Sequence, residues 1–274
     1  LLLDPLFIFG YGGLPAMGIQ GAAIASVTSF VLTLTVGLVL FYGRLTNIRL
    51  RLVGEVPVSL ASMWKIVKIG VPAWLGELSF SGSRLVITPM IAAFGTPVVA
   101  AYGVGNQITH FGIMVLVGIG LGLSSLIGHT VGSGKTERAR MVGNTAVWVG
   151  VGIMTVFGVV SFAFAPELMR LFFEDPDTVS YGVHMLRILA VGFPFLGGFL
   201  MMEEIHMGVG LNTPTMIMAI IHGWGLQVVP IYILTQVLGL NQDAIWWAIA
   251  GSLALGCMIF YQYYRRGRWL THQV

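Results

Sequence analysis

Seven stretches of about twenty or more mostly apolar residues follow one another along the chain, and a short polar or glycine-rich break ends each one. They run roughly 17–42, 66–94, 98–127, 141–165, 181–202, 216–238 and 244–264. A helix needs about 20 apolar residues to cross the ~30 Å hydrocarbon core of a bilayer. The breaks include Gly43-Arg44, Gly95-Thr96-Pro97, Gly132-Ser133-Gly134, Asp175-Pro176-Asp177 and Asn212-Thr213-Pro214. No stretch alternates with period two as a barrel strand would. Only helices and closed barrels satisfy their backbone in lipid, so the expected fold is an all-α integral membrane bundle. Charged residues are only 9% of the chain, where soluble domains run near a quarter.

The basic residues set the orientation, because lysine and arginine concentrate in cytoplasmic loops. Arg44, Arg49, Arg51, Lys65 and Lys68 follow the first span; Lys135, Arg138 and Arg140 follow the third; Arg265, Arg266 and Arg268 follow the last. These segments alternate, so they share one side. The opposite loops hold Asp4, Glu167, Glu174, Asp175, Asp177 and Asp243 with only Arg170 as a cation. The C-terminal tail is expected in the cytoplasm. The +3 net charge does not point to nucleic acid, since the basic residues gather on no single stripe.

The segment 56–68, with Val56, Leu60, Met63 and Val67 on one stripe, reads as an interfacial helix leading into the second span. A boundary between two bundles is expected near 44–56. A weak internal repeat supports it: Gln20 to Ser26 resembles Ala248 to Ser252, and both spans exit into cations. Parallel repeats of this kind are common in secondary transporters.

The chemistry-bearing motifs are few. Gly128 to Thr136 resembles a nucleotide-binding loop, but the glycine spacing is one residue too long and no strand precedes it. Glu203-Glu204-Ile205-His206 contains one Glu-x-x-His, whereas a di-iron bundle needs two plus two further carboxylates. The single Cys257 excludes a disulfide framework and a cysteine-based zinc site. No cofactor is expected, no catalytic nucleophile constellation is present, and no resident metal is expected beyond a transient Na+.

Ionisable groups within spans are costly and stand as functional-site candidates. Glu77 lies half-way through the second span, and Arg84 lies two turns further, too far for a direct pair on a straight helix. A carboxylate there can exchange a proton or hold sodium; the alternative is a structural carboxylate paired to a neighbouring helix at Arg187. Glu203 and Glu204 read as a solvated helix end. Asp4, before Pro5, reads from spacing alone as a helix-terminal or loop aspartate.

Four segments, in order, resemble the multidrug and toxic compound extrusion (MATE) family. They are Leu3-Asp4-Pro5-Leu6-Phe7-Ile8-Phe9-Gly10 with Gly18 to Ser26; Ala100 to Ile108; Gly128 to Ala139; and Gly208-Val209-Gly210-Leu211-Asn212-Thr213-Pro214, where Met207 replaces the usual arginine. The resemblance implies a fragment of a twelve-helix, two-lobe transporter. Residues 1–43 would close the first lobe (the tail of helix five and helix six), 44–65 would be a cytoplasmic interlobe linker, and 66–274 would be the six-helix second lobe.

It also implies roles. Asp4 matches the aspartate of the family's Asn-x-x-x-Asp coupling pattern, with Ser26 at a nearby position where threonine is common. Glu77 lies on helix seven, about one turn from the position expected for second-lobe coupling. Asp4, Ser26 and Glu77 are thus the cation-coupling candidates, with Arg84, Glu203 and Glu204 secondary. The implied function is an H+- or Na+-coupled antiporter of the bacterial inner membrane, not an enzyme, exporting amphipathic or cationic organic compounds and monomeric when full length. A lipid-linked oligosaccharide flippase is the alternative, followed by an integral-membrane enzyme and a non-transporting receptor or assembly subunit.

Overall fold

A computed structural model describes residues 3–10, 15, 17–43 and 59–271. These residues are almost wholly helical, with no strand among them. They divide into two compact units, Leu1–Ser59 and Leu60–Val274.

The first unit pairs α1 (Leu3–Phe9) with α2 (Gly18–Tyr42). The Met17 N–H donates to Phe7 O at 3.1 Å. Gly21 lacks a side chain where a Cβ would collide with Phe7 O. Along α2, hydroxyls bond back to carbonyls four residues earlier, as Thr28 does to Ile24 O and Thr33 to Ser29 O. That local bonding lets polar side chains reside in an apolar helix. Only Gly21 and Ala25 of α2 are buried. Most of the expected linker, 44–58, lies outside the described residues.

The second unit opens with α3 (Leu60–Ala92), unbroken for 33 residues. Leu60 to Lys68 therefore form its first turns rather than a separate interfacial helix, which corrects that expectation; residues 56–58 lie outside the described set. Then come α4 (Thr96–Gly132), α5 (Thr136–Ala163), the short α6 (Ala165–Arg170) and α7 (Pro176–Gly208). A 26-residue rod, Asn212–Val237, combines α8 (Asn212–Ile220), π-helical Ile221–Val228, α9 (Val229–Tyr232) and π-helical Ile233–Val237. The unit ends with α10 (Asp243–Arg265) and a 3-10 turn, Arg268–Leu270.

The breaks seen in the sequence become turns with a physical stop. Gly95, Gly134 and Gly210 take φ of 105°, 74° and 72°, a left-handed geometry open mainly to glycine. Asp175 caps α7: its Oδ2 accepts from the Thr178 N–H at 2.9 Å and from the Thr178 hydroxyl at 2.5 Å. Both bonds hold its carboxyl below the ordinary 3.8.

Among the described residues, six helices are long and apolar enough to cross a membrane: α2, α4, α5, α7, the Asn212–Val237 rod and α10. The seventh expected span, α3, is long enough but carries Lys65, Lys68, Glu77 and Arg84, and it is not among them.

The core of the second unit forms around α7, which contacts α4, α5 and α10. It buries Met185, Leu186, Phe193, Met201, Met202 and Ile205. Close approach is bought with glycine. Gly150 of α5 and Gly197 of α7 each face the other's carbonyl, and a Cβ on Gly150 would stand 2.8 Å from Gly197 O. Pro194 removes the amide that would bond Ala190 O; a Cβ at Gly158 would come within 2.9 Å of that carbonyl. Tyr102 of α4 stacks on buried Trp246 of α10, with ring centroids 5.8 Å apart.

Candidate functional site

α3 and the Asn212–Val237 rod lie against each other through specific polar links. The Asn212 amide donates to Ile69 O at 2.9 Å. The Trp224 indole N–H donates to the Ser79 hydroxyl at 3.0 Å. Gly223 lets the rod pass the Ser83 hydroxyl, which would lie 2.7 Å from a Cβ there. Pro230 withholds the donor for Leu226 O, and the Val229 N–H reaches five residues back to Trp224 O. The proline thus sits beside π-helical geometry, which recurs at functional sites.

Glu77 projects from this pair. It is exposed on α3. Arg84 does not answer it: its guanidinium lies over the Phe80 ring, 4.8 Å from the centroid. Arg187, the expected partner in the structural alternative, lies over Phe162 at 5.4 Å instead. That pairing is therefore not made. Each guanidinium takes the aromatic face within its own reach.

Glu203 of α7 lies within electrostatic reach of both Glu77 and Glu204. The expected solvated helix end is corrected here. α7 runs to Gly208, six residues past the expected limit, so Glu203 and Glu204 lie inside the helix and are half-buried. Glu204 lies across Gly120 of α4, where a Cβ would stand 2.6 Å from its Cγ. No group of three or more histidine, cysteine, aspartate or glutamate residues suited to a metal ion occurs among the described residues.

In the first unit, Asp4 lies on α1, but its side chain is outside the described residues. Ser26 is exposed on α2, and its hydroxyl donates to Ala22 O at 3.1 Å.

Two histidines, His222 and the His206 of the Glu-x-x-His motif, are buried. His222, in the first π segment, has Nε2 3.4 Å from the Ser252 hydroxyl and its ring 5.4 Å from Phe199. His206 is fully buried, bonds Met202 O through Nδ1 at 2.7 Å, and leaves Nε2 without a partner. Rings run on from His222 through Phe199, Phe260, His206 and Tyr264 to Trp269, with successive centroids 5.0–6.3 Å apart. No sequence signal marks these contacts, because they join residues from three helices.

The fold and these sites define a multi-pass helical membrane protein with acidic side chains on its long helices. The MatE family model matches residues 72–233, more than half of the chain and a stretch that contains Glu77, Glu203 and Glu204. The chain belongs to the MatE family. It is 23% identical over 273 residues to the probable multidrug resistance protein YoeA of Bacillus subtilis, covering 97% of this chain and 58% of that protein. It is 29% identical over 205 residues to an FAD transporter of Shewanella oneidensis, covering 72% of this chain and 43% of that one. Its fold matches a MOP superfamily transporter from Pyrococcus furiosus with TM-score 0.88 at 24% identity, covering 98% of this chain and 60% of that one. The chain thus spans between 43% and 60% of the length of these relatives.

Proposed function

We propose that this chain is part of a cation-coupled antiporter of the bacterial inner membrane that exports amphipathic or cationic organic compounds, with its C-terminus in the cytoplasm. The observation that carries the reading is the placing of Glu77 on α3 within electrostatic reach of Glu203 on α7, since intramembrane carboxylates mark ion pathways. Both are approached by no basic partner within ion-pairing distance among the described residues. A proton or sodium ion entering between them relieves the repulsion of two like charges. The occupied and empty forms then favour different arrangements of α3 and α7, which is what coupling requires. Asp4, with Ser26 near it in the sequence pattern, is the first-unit counterpart in this proposal. Arg84 and Glu204 are flanking residues that tune the field.

The test uses the full-length protein in a pump-deficient bacterium. Ethidium extrusion is followed in energised cells, with and without a protonophore and with and without sodium. Extrusion that collapses with one gradient, and falls at least tenfold in Glu77→Gln, Glu203→Gln or Asp4→Asn, supports the reading and names the ion. Wild-type extrusion in all three variants at normal expression overturns the site assignment. A second reading, an anionic organic cargo, is favoured by the relative named as an FAD transporter and by exposed Arg84. Flavin export without dye export would establish it.

A further inference from the structure

At the end of α10 the chain builds a small basic pocket that the transport reading does not use. Gly267, with φ 69°, turns the chain back, so the Arg268–Leu270 turn folds over the end of the bundle and buries Trp269 and Leu270. Trp269 stacks on Tyr264, with centroids 5.3 Å apart and planes at 13°. Its indole N–H donates to Tyr264 O at 3.2 Å. The Tyr264 hydroxyl in turn donates to Asn144 Oδ1 on α5 at 2.9 Å. This leaves the Asn144 amide hydrogens free to donate. Gly143 makes the arrangement possible, because a Cβ there would stand 2.7 Å from the Tyr264 hydroxyl.

The pocket holds about 220 Å3 and is lined by Arg140, Asn144, Tyr261, Tyr264, Arg265 and Trp269, among others. It has two guanidinium groups and no carboxylate in its lining. Neither arginine has a carboxylate within ion-pairing distance among the described residues. Arg265 rests over the Tyr261 ring, 5.9 Å from its centroid. The volume falls below the roughly 300–1,000 Å3 of sites that enclose a drug-sized ligand. It suits a compact anion. Guanidinium forks match phosphate oxygens in pairs, and tyrosine and tryptophan beside arginine at the end of a span are the furniture of the membrane interface. Basic pockets between spanning helices at that depth bind phospholipid headgroups.

We propose that this pocket binds the phosphate of an anionic phospholipid headgroup, held between Arg140 of α5 and Arg265 of α10 with Asn144 as a neutral donor. The lipid fastens the end of α10 to the start of α5. The assignment stands apart from the carboxylates on α3 and α7 and from the cargo.

The experiment compares full-length protein in nanodiscs of phosphatidylcholine alone with nanodiscs containing phosphatidylglycerol, reading the melting temperature. Phosphatidylglycerol should raise it in the wild type. R140Q/R265Q should melt as the wild type does in phosphatidylcholine and lose that rise, while R268Q, whose side chain lies outside the lining, should keep it. Native mass spectrometry of the wild type, which needs no variant, should show phosphatidylglycerol retained in preference to phosphatidylcholine. An equal rise in R140Q/R265Q, or no lipid preference in the wild type, overturns the site. A full rise with inorganic phosphate in detergent overturns the lipid as its ligand and leaves a free-anion site.

Discussion

Two regions of the second unit are built on opposite plans. α4, α5, α7 and α10 form a tight quartet in which glycine lets backbones touch, at Gly150 with Gly197 and at Gly128 with Gly208. α3 and the Asn212–Val237 rod form a separate pair. Hydrogen bonds tie it at Asn212 and Trp224, and its helices carry Pro72, Pro89 and Pro230. Close packing has few alternative arrangements; proline and π segments are the usual causes of bends in a helix, and only the rod has π segments among the described residues. We propose that the quartet serves as a frame and the pair as the element that moves. Glu77 rides on the pair and Glu203 on the quartet, so in the proposed function a cation between them would sense their relative position.

The comparison breaks most readily at glycine. Gly150→Ala should cost about 1–3 kcal/mol, the usual penalty for overpacking a filled core, and should lower the yield of monodisperse protein. Gly152→Ala, two residues along the same helix with open space around it, should be neutral or slightly stabilising. Equal losses in the two would remove the case for a glycine-built frame.

Pro230→Ala sharpens the contrast from the other side. It restores a backbone donor in the rod, so the melting temperature should hold or rise while dye extrusion by the full-length protein falls several-fold. Trp224→Phe should cost less, about 0.5–1.5 kcal/mol for one hydrogen bond, and should appear as increased motion of α3 against the rod in spin-label spectra.

The smallest effect belongs to the Asp175 cap. Its carboxyl titrates below 3.8 in the folded protein because Thr178 donates to it twice. The folded value is depressed, so the stabilisation is present above the unfolded value and is lost as pH falls through the folded one. Asp175→Ala should lower the melting temperature slightly at pH 7, and the difference from the wild type should vanish well below pH 3.8.

Much of the frame was legible in the sequence, because span length and helix stops are local. Gly95 and Gly134 turn the chain between helices and Asp175 starts α7, each where its chemistry requires it. Less legible was the end of α7. Glu203 and Glu204 read as solvated because charge commonly marks a helix end, yet the helix continues to the Gly210 turn. The approach of Glu203 to Glu77 joins positions far apart in the chain, and no periodicity carries that information. The π segments escaped notice for a related reason: Pro230 announces a lost hydrogen bond but not how its neighbours rearrange around it. Arg84 shows the limit at short range, since its spacing excluded Glu77 without revealing the Phe80 ring.

The most direct measurement is double electron–electron resonance on the full-length protein, in a Cys257→Ser background, with two pairs of spin labels. One pair, Leu78→Cys on α3 with Val149→Cys on α5, reports the moving element against the frame. The other, Val149→Cys with Leu255→Cys on α10, lies within the frame. All three positions are exposed. Changing the coupling cation should shift the first distance distribution and leave the second unchanged, and Glu77→Gln with Glu203→Gln should abolish the shift. A shift within the frame pair, or a cation response that survives without both carboxylates, would contradict the account.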